Sequence, residues 1–179
     1  MEETVWIQRA LEGDTRAFSR LVQVYQTPVY NVTYRMLGER MEAEDAAQET
    51  FLRAFRNLQR YDPKRPFRTW LLSIAAHHCI DRMRRQRPTL SLDDVVLRAA
   101  GDVEPERTVL ERERQAGVQA LLEALSPTDR MAVILMYWHD CSYEEVAEVL
   151  HLTVSAVKSR LHRARRAMAQ ALEEGVHGV

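Results

Sequence analysis

The sequence predicts an all-α protein of two small helical domains joined by an acidic flexible linker, the C-terminal domain containing a helix-turn-helix. Three observations predict it. Apolar residues recur at three- and four-residue spacings along almost the whole chain, while β-branched residues are too scattered to build strands. The periodicity lapses once, after Pro88, through an acidic stretch reaching about Val103. Ser142 to Met168 then carries the spacing of two short helices about a tight turn. With 179 residues there is room for one large or two small domains. The boundaries read as 1–88, a linker 89–103, and 104–179.

Asp14 is a candidate N-cap for a helix with the stripe Phe18, Leu21, Val22 and Tyr25. Pro28 should kink or divide it, and Val29, Val32, Met36 and Leu37 carry it on to Gly38, a C-terminal stop. A second helix is expected from about Ala43 to Leu58, burying Ala47, Phe51, Phe55 and Leu58. Two prolines bracket Tyr61-Asp62-Pro63-Lys64-Arg65-Pro66, which therefore cannot be helical throughout. A third helix follows from Phe67 to about Arg87, with Leu71, Ile74, Ala75 and Ile80 inside. After the linker, helix resumes from about Glu104 to Leu125. Ser126 with Pro127 then opens a fresh helix ending at Trp138.

The last unit is the most explicit. Ser142 followed by Glu145 is a capping box, in which the hydroxyl accepts from a helix N–H and the carboxylate accepts from the cap N–H. Val146, Ala147 and Leu150 form the buried stripe. The pattern breaks at His151-Leu152-Thr153, with His151 where a left-handed residue is needed and Thr153 as the next N-cap. The following helix buries Val157, Leu161, Ala164 and Met168, and its tail frays from Gly175. Its other faces carry Ser155, Lys158, Ser159, His162, Arg163 and Arg166, and no acid occurs from Thr153 to Leu172. A helix of this kind suits the major groove of duplex DNA.

The formal net charge is only −1, but its distribution is uneven. Bases dominate Tyr61 to Pro88, acids dominate Thr89 to Leu125, and the helix after Thr153 is wholly basic. The segment Tyr61, Lys64, Arg65, Phe67, Arg68, Trp70 interleaves aromatics with cations, which is what unpaired nucleic acid needs: π-faces for bases and charge for phosphates. Phe67 and Trp70 could equally be core anchors at a helix start. On the second helix, Asp45, Gln48, Glu49, Leu52, Arg53 and Arg56 avoid the core face. They read either as a solvated surface with a Glu49–Arg53 pair or as an interface.

Several classes recede. "MEETVWIQRA" has no basic flank before an apolar run, so no signal peptide is visible, and Met131 to Trp138, the longest apolar run, is too short to span a bilayer. A cytoplasmic location is the expectation. Cys79 and Cys141 lie far apart without a CxxC, so inert buried thiols are expected in place of a disulfide framework. His77-His78-Cys79 would point about 100° apart around a helix and converge poorly on a metal. Nothing supports a cofactor, and Asp45/Glu49 or His77/Asp81 lack the donors that catalysis requires.

At this point a family resemblance is visible. "DAAQETFLRAFRNLQRYDPKRPFRTWLLSIAAHHCIDRMRR" resembles the core-binding and −10-binding segment of bacterial sigma factors, and "LSPTDRMAVILMYWHDCSYEEVAEVLHLTVSAVKSRLHRARRAM" resembles their −35-binding domain. The short chain is similar to the minimal, extracytoplasmic-function subgroup. The resemblance implies that Asp45, Gln48, Glu49, Leu52 and Arg53, with Arg56 beside them, meet the clamp helices of the RNA polymerase largest subunit. It implies that the loop from Tyr61 to Phe67, with Lys64 and Arg65, holds a base flipped from the non-template strand. Arg68, Trp70, His77, Asp81, Arg84 and Arg85 would handle the −10 element. The linker would thread the polymerase channels, and the flap would be a second polymerase contact.

In the helix-turn-helix, Ser155, Lys158, Ser159 and His162 would face bases. Arg163 and Arg166 would meet phosphates, with Thr153 at the entry. An anti-sigma factor is a common partner in the family. Two departures stand out: Ala76-His77 replaces a frequent Arg-Asn, and "VSAV" replaces the commoner "VGTV" at the start of the recognition helix. The promoter bases therefore cannot be carried over. The alternative is a dimeric helix-turn-helix repressor or activator that needs only duplex DNA.

Overall fold

The computed structural model describes residues 2–86 and 109–177. Within them every regular element is helical: α1 (Glu2–Leu11), α2 (Thr15–Leu37), α3 (Arg40–Arg56), a 3₁₀ turn (Leu58–Arg60), α4 (Phe67–Gln86), α5 (Val109–Glu123), α6 (Pro127–Trp138), α7 (Tyr143–Leu150) and α8 (Val154–His177). The expected linker lies outside the described residues, as does the expected helical start at Glu104. No described helix is long and apolar enough to cross a membrane.

Helix α1 has no counterpart in the expectations drawn above. Trp6, Ile7 and Leu11 are half-buried at helical spacing and Ala10 is buried, enough to hold α1 against α2. The hydroxyl of Tyr25 donates to the Glu3 carboxylate, and burial together with that bond raises the phenol's pKa. Asp14 caps α2, accepting from the backbone N–H groups of Arg16 at 2.9 Å and Ala17 at 3.2 Å. Pro28 does not divide this helix, which runs unbroken to Leu37. The carbonyl that Pro28 cannot meet is that of Val24, an exposed position where solvent can reach it. Gly38 ends α2 at φ 79°, the left-handed conformation expected there.

The largest difference from expectation is the face that α3 buries. Its inward residues are Ala43, Ala46, Ala47, Thr50 and Ala54, while Phe51 is half-buried and Phe55 is 47% exposed. Small side chains let α3 lie close to α2 and α4, so the bulky rings move to the flank. The Thr33 hydroxyl of α2 sits 2.9 Å from the Ala43 carbonyl, a reach that such an approach permits. Phe55 meets Phe18 edge-on at 5.0 Å between ring centroids.

Helix α4 is covered on two sides. Leu71 and Leu72 are both buried, as are Ala75 and Ala76, although neighbours on a helix point about 100° apart. A helix that is apolar over so wide an arc sits in the middle of a fold. Here α4 touches α2 and α3 on one side and α6 and α7 on the other. The buried side chains of both halves accordingly form one continuous core. Truncating a fully buried leucine such as Leu71 to alanine costs about 2–5 kcal/mol.

Helix α6 begins at Pro127 after the cap Ser126, whose Oγ accepts from the Asp129 N–H at 3.2 Å. The capping box of α7 is formed in both directions: Ser142 N–H to the Glu145 carboxylate at 2.8 Å, and Glu145 N–H to the Ser142 hydroxyl at 3.1 Å. His151 takes the left-handed conformation at φ 54° and ψ 45°. Thr153 caps α8 through the Ala156 N–H at 3.1 Å. Helix α8 continues past Gly175 to His177.

Candidate nucleic-acid interface

The recognition helix is positioned by charge as well as by its apolar stripe. Val157, Leu161 and Ala164 are buried, and Arg160 pairs with Asp129 of α6 at 2.8 Å, fastening α8 to its domain from the inner side. Everything expected to face DNA is on the other side. Thr153, Ser155, Lys158, Ser159, His162, Arg163 and Arg166 are all exposed. Lys158 also lies 5.4 Å over the Tyr143 ring, which steadies a flexible cation near the start of the helix. This surface places hydroxyls and one amine at the N-terminal end of α8 and arginines further along. Base edges and phosphates call for that division.

The second basic surface is built differently from the simplest expectation. Tyr61 and Phe67 are 7% and 4% exposed, and with half-buried Trp70 they form an aromatic cluster with centroids 5.2–5.5 Å apart. Tyr25 adds a fourth ring, 5.6 Å from Phe67. No face of Tyr61 or Phe67 is open to a base in this arrangement. Their role is to hold the loop: the Tyr61 hydroxyl donates to the Arg65 carbonyl at 2.6 Å, and the Asp62 carboxylate accepts from the Lys64 N–H at 3.0 Å. The loop therefore presents Lys64 and Arg65 outward, both exposed.

Along α4, Asp81, Arg84 and Arg85 are exposed, while Arg68 and His77 are half-buried. His77 Nδ1 lies 2.7 Å from the Ser73 carbonyl, and its ring is 4.6 Å from that of His151. Cys79 and Cys141 are buried and unpaired. Burial pushes the Cys79 thiol up to about 12 and raises that of Cys141 too, so neither forms thiolate readily.

A third surface lies on α3. Asp45, Gln48 and Arg56 are exposed, and Leu52 is 49% exposed among them. Glu49 accepts from Arg53 at 2.7 Å, a bond that lowers its carboxyl pKa. Phe55 belongs with this surface, although the sequence pattern placed it in the core. Beside it runs a groove of about 400 Å³ lined by Val22, Gln26, Thr27, Tyr30, Glu44, Ala47, Gln48 and Phe51. An apolar strip of Leu52 and Phe55 rimmed by paired charges is the composition of a protein interface.

Comparison with known proteins bears on both halves. The family model for Sigma-70 region 2 matches residues 21–89, and that for Sigma-70, region 4 matches residues 115–168. The extracytoplasmic-function (ECF) RNA polymerase sigma factor SigW of Bacillus subtilis is 36% identical, with 94% of this chain and 95% of that relative covered. The RNA polymerase sigma-H factor of Pseudomonas aeruginosa is 34% identical over 93% of this chain and 92% of its own length. Among solved structures, CnrH in complex with the cytosolic domain of CnrY aligns with a TM-score of 0.74 and 26% identity, covering 97% of this chain and 99% of that one. RpoE of Bartonella quintana, crystallised with the anti-sigma factor NepR, shares the fold at a TM-score of 0.68, with 22% identity and 87% and 96% of the two chains covered.

Proposed function

The chain belongs to the extracytoplasmic-function RNA polymerase sigma factors and directs polymerase to promoters, and we propose that it does so by dividing the work among three surfaces. The α3 strip of Asp45, Gln48, Glu49, Leu52, Arg53 and Arg56, extended by Phe55, holds core polymerase at the clamp helices. Residues 2–86 handle the −10 element through Lys64, Arg65, Arg68, His77, Asp81, Arg84 and Arg85 and help to open it. Binding energy for unpaired bases drives this step, with no bond made or broken. Tyr61, Phe67 and Trp70 act by shaping that loop. Residues 109–177 read the −35 duplex through Ser155, Lys158, Ser159 and His162, with Arg163 and Arg166 on phosphates.

The observation that carries this reading is the exposed, acid-free face at the start of α8, in a chain that also matches region 2. The dimeric-repressor alternative is not favoured, because a repressor has no use for a region 2 half. Two weakly binding modules on one chain gain from each other through effective concentration once polymerase fixes their spacing. CnrH is solved with the cytosolic domain of CnrY and the Bartonella protein with an anti-sigma factor. An anti-sigma partner for this chain is the corresponding proposal.

Transcription in vitro with purified core polymerase tests the reading. The full chain should add promoter-specific initiation, and Lys158→Glu should reduce it about 10- to 100-fold, as expected for losing one base contact and adding a repulsive charge at the groove. No added initiation by the unmodified chain would reject the reading.

A further inference from the structure

The cations of α8 are held in different ways. Arg160 is tied to Asp129 of α6, and Arg165 donates to the Leu161 carbonyl of its own helix at 3.2 Å. Arg163 and Arg166 are exposed. Lys158, one turn into α8, forms no ion pair with any described residue, yet its ammonium does not range freely. Its Nζ lies 5.4 Å from the ring centre of Tyr143, the first residue of α7. The contact joins the two helices of the helix-turn-helix, and the periodicity of the sequence gives Tyr143 no role.

Tyr143 is suited to hold a flexible side chain. It is half-buried and packs against the core, and its neighbours Ser142 and Glu145 are locked to each other by the capping box. A tyrosine is a rigid, amphipathic platform that needs little ordering, whereas a lysine must surrender much rotamer freedom before it can hold one geometry. The manner of holding matters as much. A carboxylate would take up N–H donors and set a negative charge beside phosphates, whereas a ring face attracts the ammonium through its quadrupole and consumes no donor. The Glu145 carboxylate does not compete, because it accepts from the Ser142 N–H at 2.8 Å. Lys158 is therefore steadied with its full charge and its donors directed outward.

We propose that Tyr143 is a specificity-determining positioning residue of the −35 reader, which sets Lys158 before DNA arrives and thereby sharpens the choice of one base pair. The proposal rests on the reading of Lys158 as a base contact. An ammonium is a donor only, and guanine offers two acceptors, N7 and O6, on its major-groove edge, so guanine is the base that a fixed Lys158 selects. A lysine free to swing would reach a phosphate or a neighbouring base instead, and would add affinity without discrimination. Tyr143 thus acts on which promoter is chosen, through Lys158, while the apolar corner of Val146, Ala147 and Val157 keeps the two helices together.

The test is transcription by core polymerase with the full chain, on a promoter library randomised across the −35 element, each member tagged by a transcribed barcode. Lys158→Ala identifies the base pair that Lys158 reads, as the one where the preference for guanine collapses. Tyr143→Leu should weaken the preference at that same pair by about two- to fivefold, the range of an exposed cation–π contact, and leave the other −35 positions as they were. Tyr143→Phe keeps the ring without the hydroxyl and should retain the preference. In a Lys158→Ala background, Tyr143→Leu should remove nothing further at that pair. A loss spread evenly over the −35 positions in Tyr143→Leu would overturn the proposal, since a displaced helix or a lost phosphate contact gives that pattern. Equal loss in Tyr143→Phe would also overturn it, by assigning the effect to the hydroxyl. Unchanged preference at every pair in Lys158→Ala would overturn the base-reading assignment itself, and the role of Tyr143 with it.

Discussion

His139 illustrates how much one residue can depend on the meeting of distant segments. It is buried, its Nε2 has no hydrogen-bond partner among the described residues, and burial followed by the charges of Arg68 and Arg35 pulls its pKa down to about 4. An unfolded histidine titrates near ~6.5, so between these values the unfolded chain binds a proton that the folded chain refuses. The stability of the folded chain should therefore be complete above about pH 6.5 and fall as pH drops toward about 4, by on the order of 2–3 kcal/mol from this group. Denaturant unfolding at neutral and acidic pH should show a shallower decline in His139→Leu than in the unmodified protein; equal declines would remove His139 from the account. Nothing near His139 in sequence announces this environment. The left-handed His151 is the opposite case, since the residues on either side of it define the turn that demands it.

At the scale of elements, legibility followed the range of the interaction. The caps at Asp14, Ser126, Ser142 and Thr153 act within three residues of themselves, and each could be read directly. Ser142→Ala should lower stability by about 1 kcal/mol, with the thermal midpoint of unfolding as the readout; an unchanged midpoint would mean that α7 is held by packing alone. On α3, Ala47 is buried as the spacing predicts, but Phe55 is exposed and Phe51 only half-buried: large apolar residues usually face inward, and here Ala43, Ala46 and Ala54 do so instead. Only the closeness of α2 and α4, which no local pattern encodes, decides between the two. The consequence is an exposed Phe55 beside Leu52. Leu52→Asp with Phe55→Ser should weaken binding to core polymerase by more than about 10-fold, because both centre on an apolar strip of the kind that dominates interface energies. Titration of labelled chain with core polymerase measures it, and unaltered affinity would place the polymerase contact elsewhere.

For the whole molecule, the two-module plan was visible in the sequence, but the contact between modules was not. The bond from Arg130 to the Met36 carbonyl spans 94 positions and has no period to reveal it. Aromatic interleaving in the 61–70 segment was equally ambiguous, and burial of Tyr61 and Phe67 makes them the frame of the 61–67 loop while Lys64 and Arg65 line its surface. The proposed function unites the molecule in a division of labour, in which α8 would locate duplex and α4 would hold what has been opened. The most direct test is transcription from one promoter supplied either as full duplex or with its −10 region mismatched and already open. On duplex, Arg84→Ala with Arg85→Ala and Lys158→Glu should each lose activity. Opening the template in advance should restore the α4 variant severalfold, since the cost of unpairing has been removed, and should leave the α8 variant as defective as before. Equal rescue of both variants, or of neither, would contradict the division.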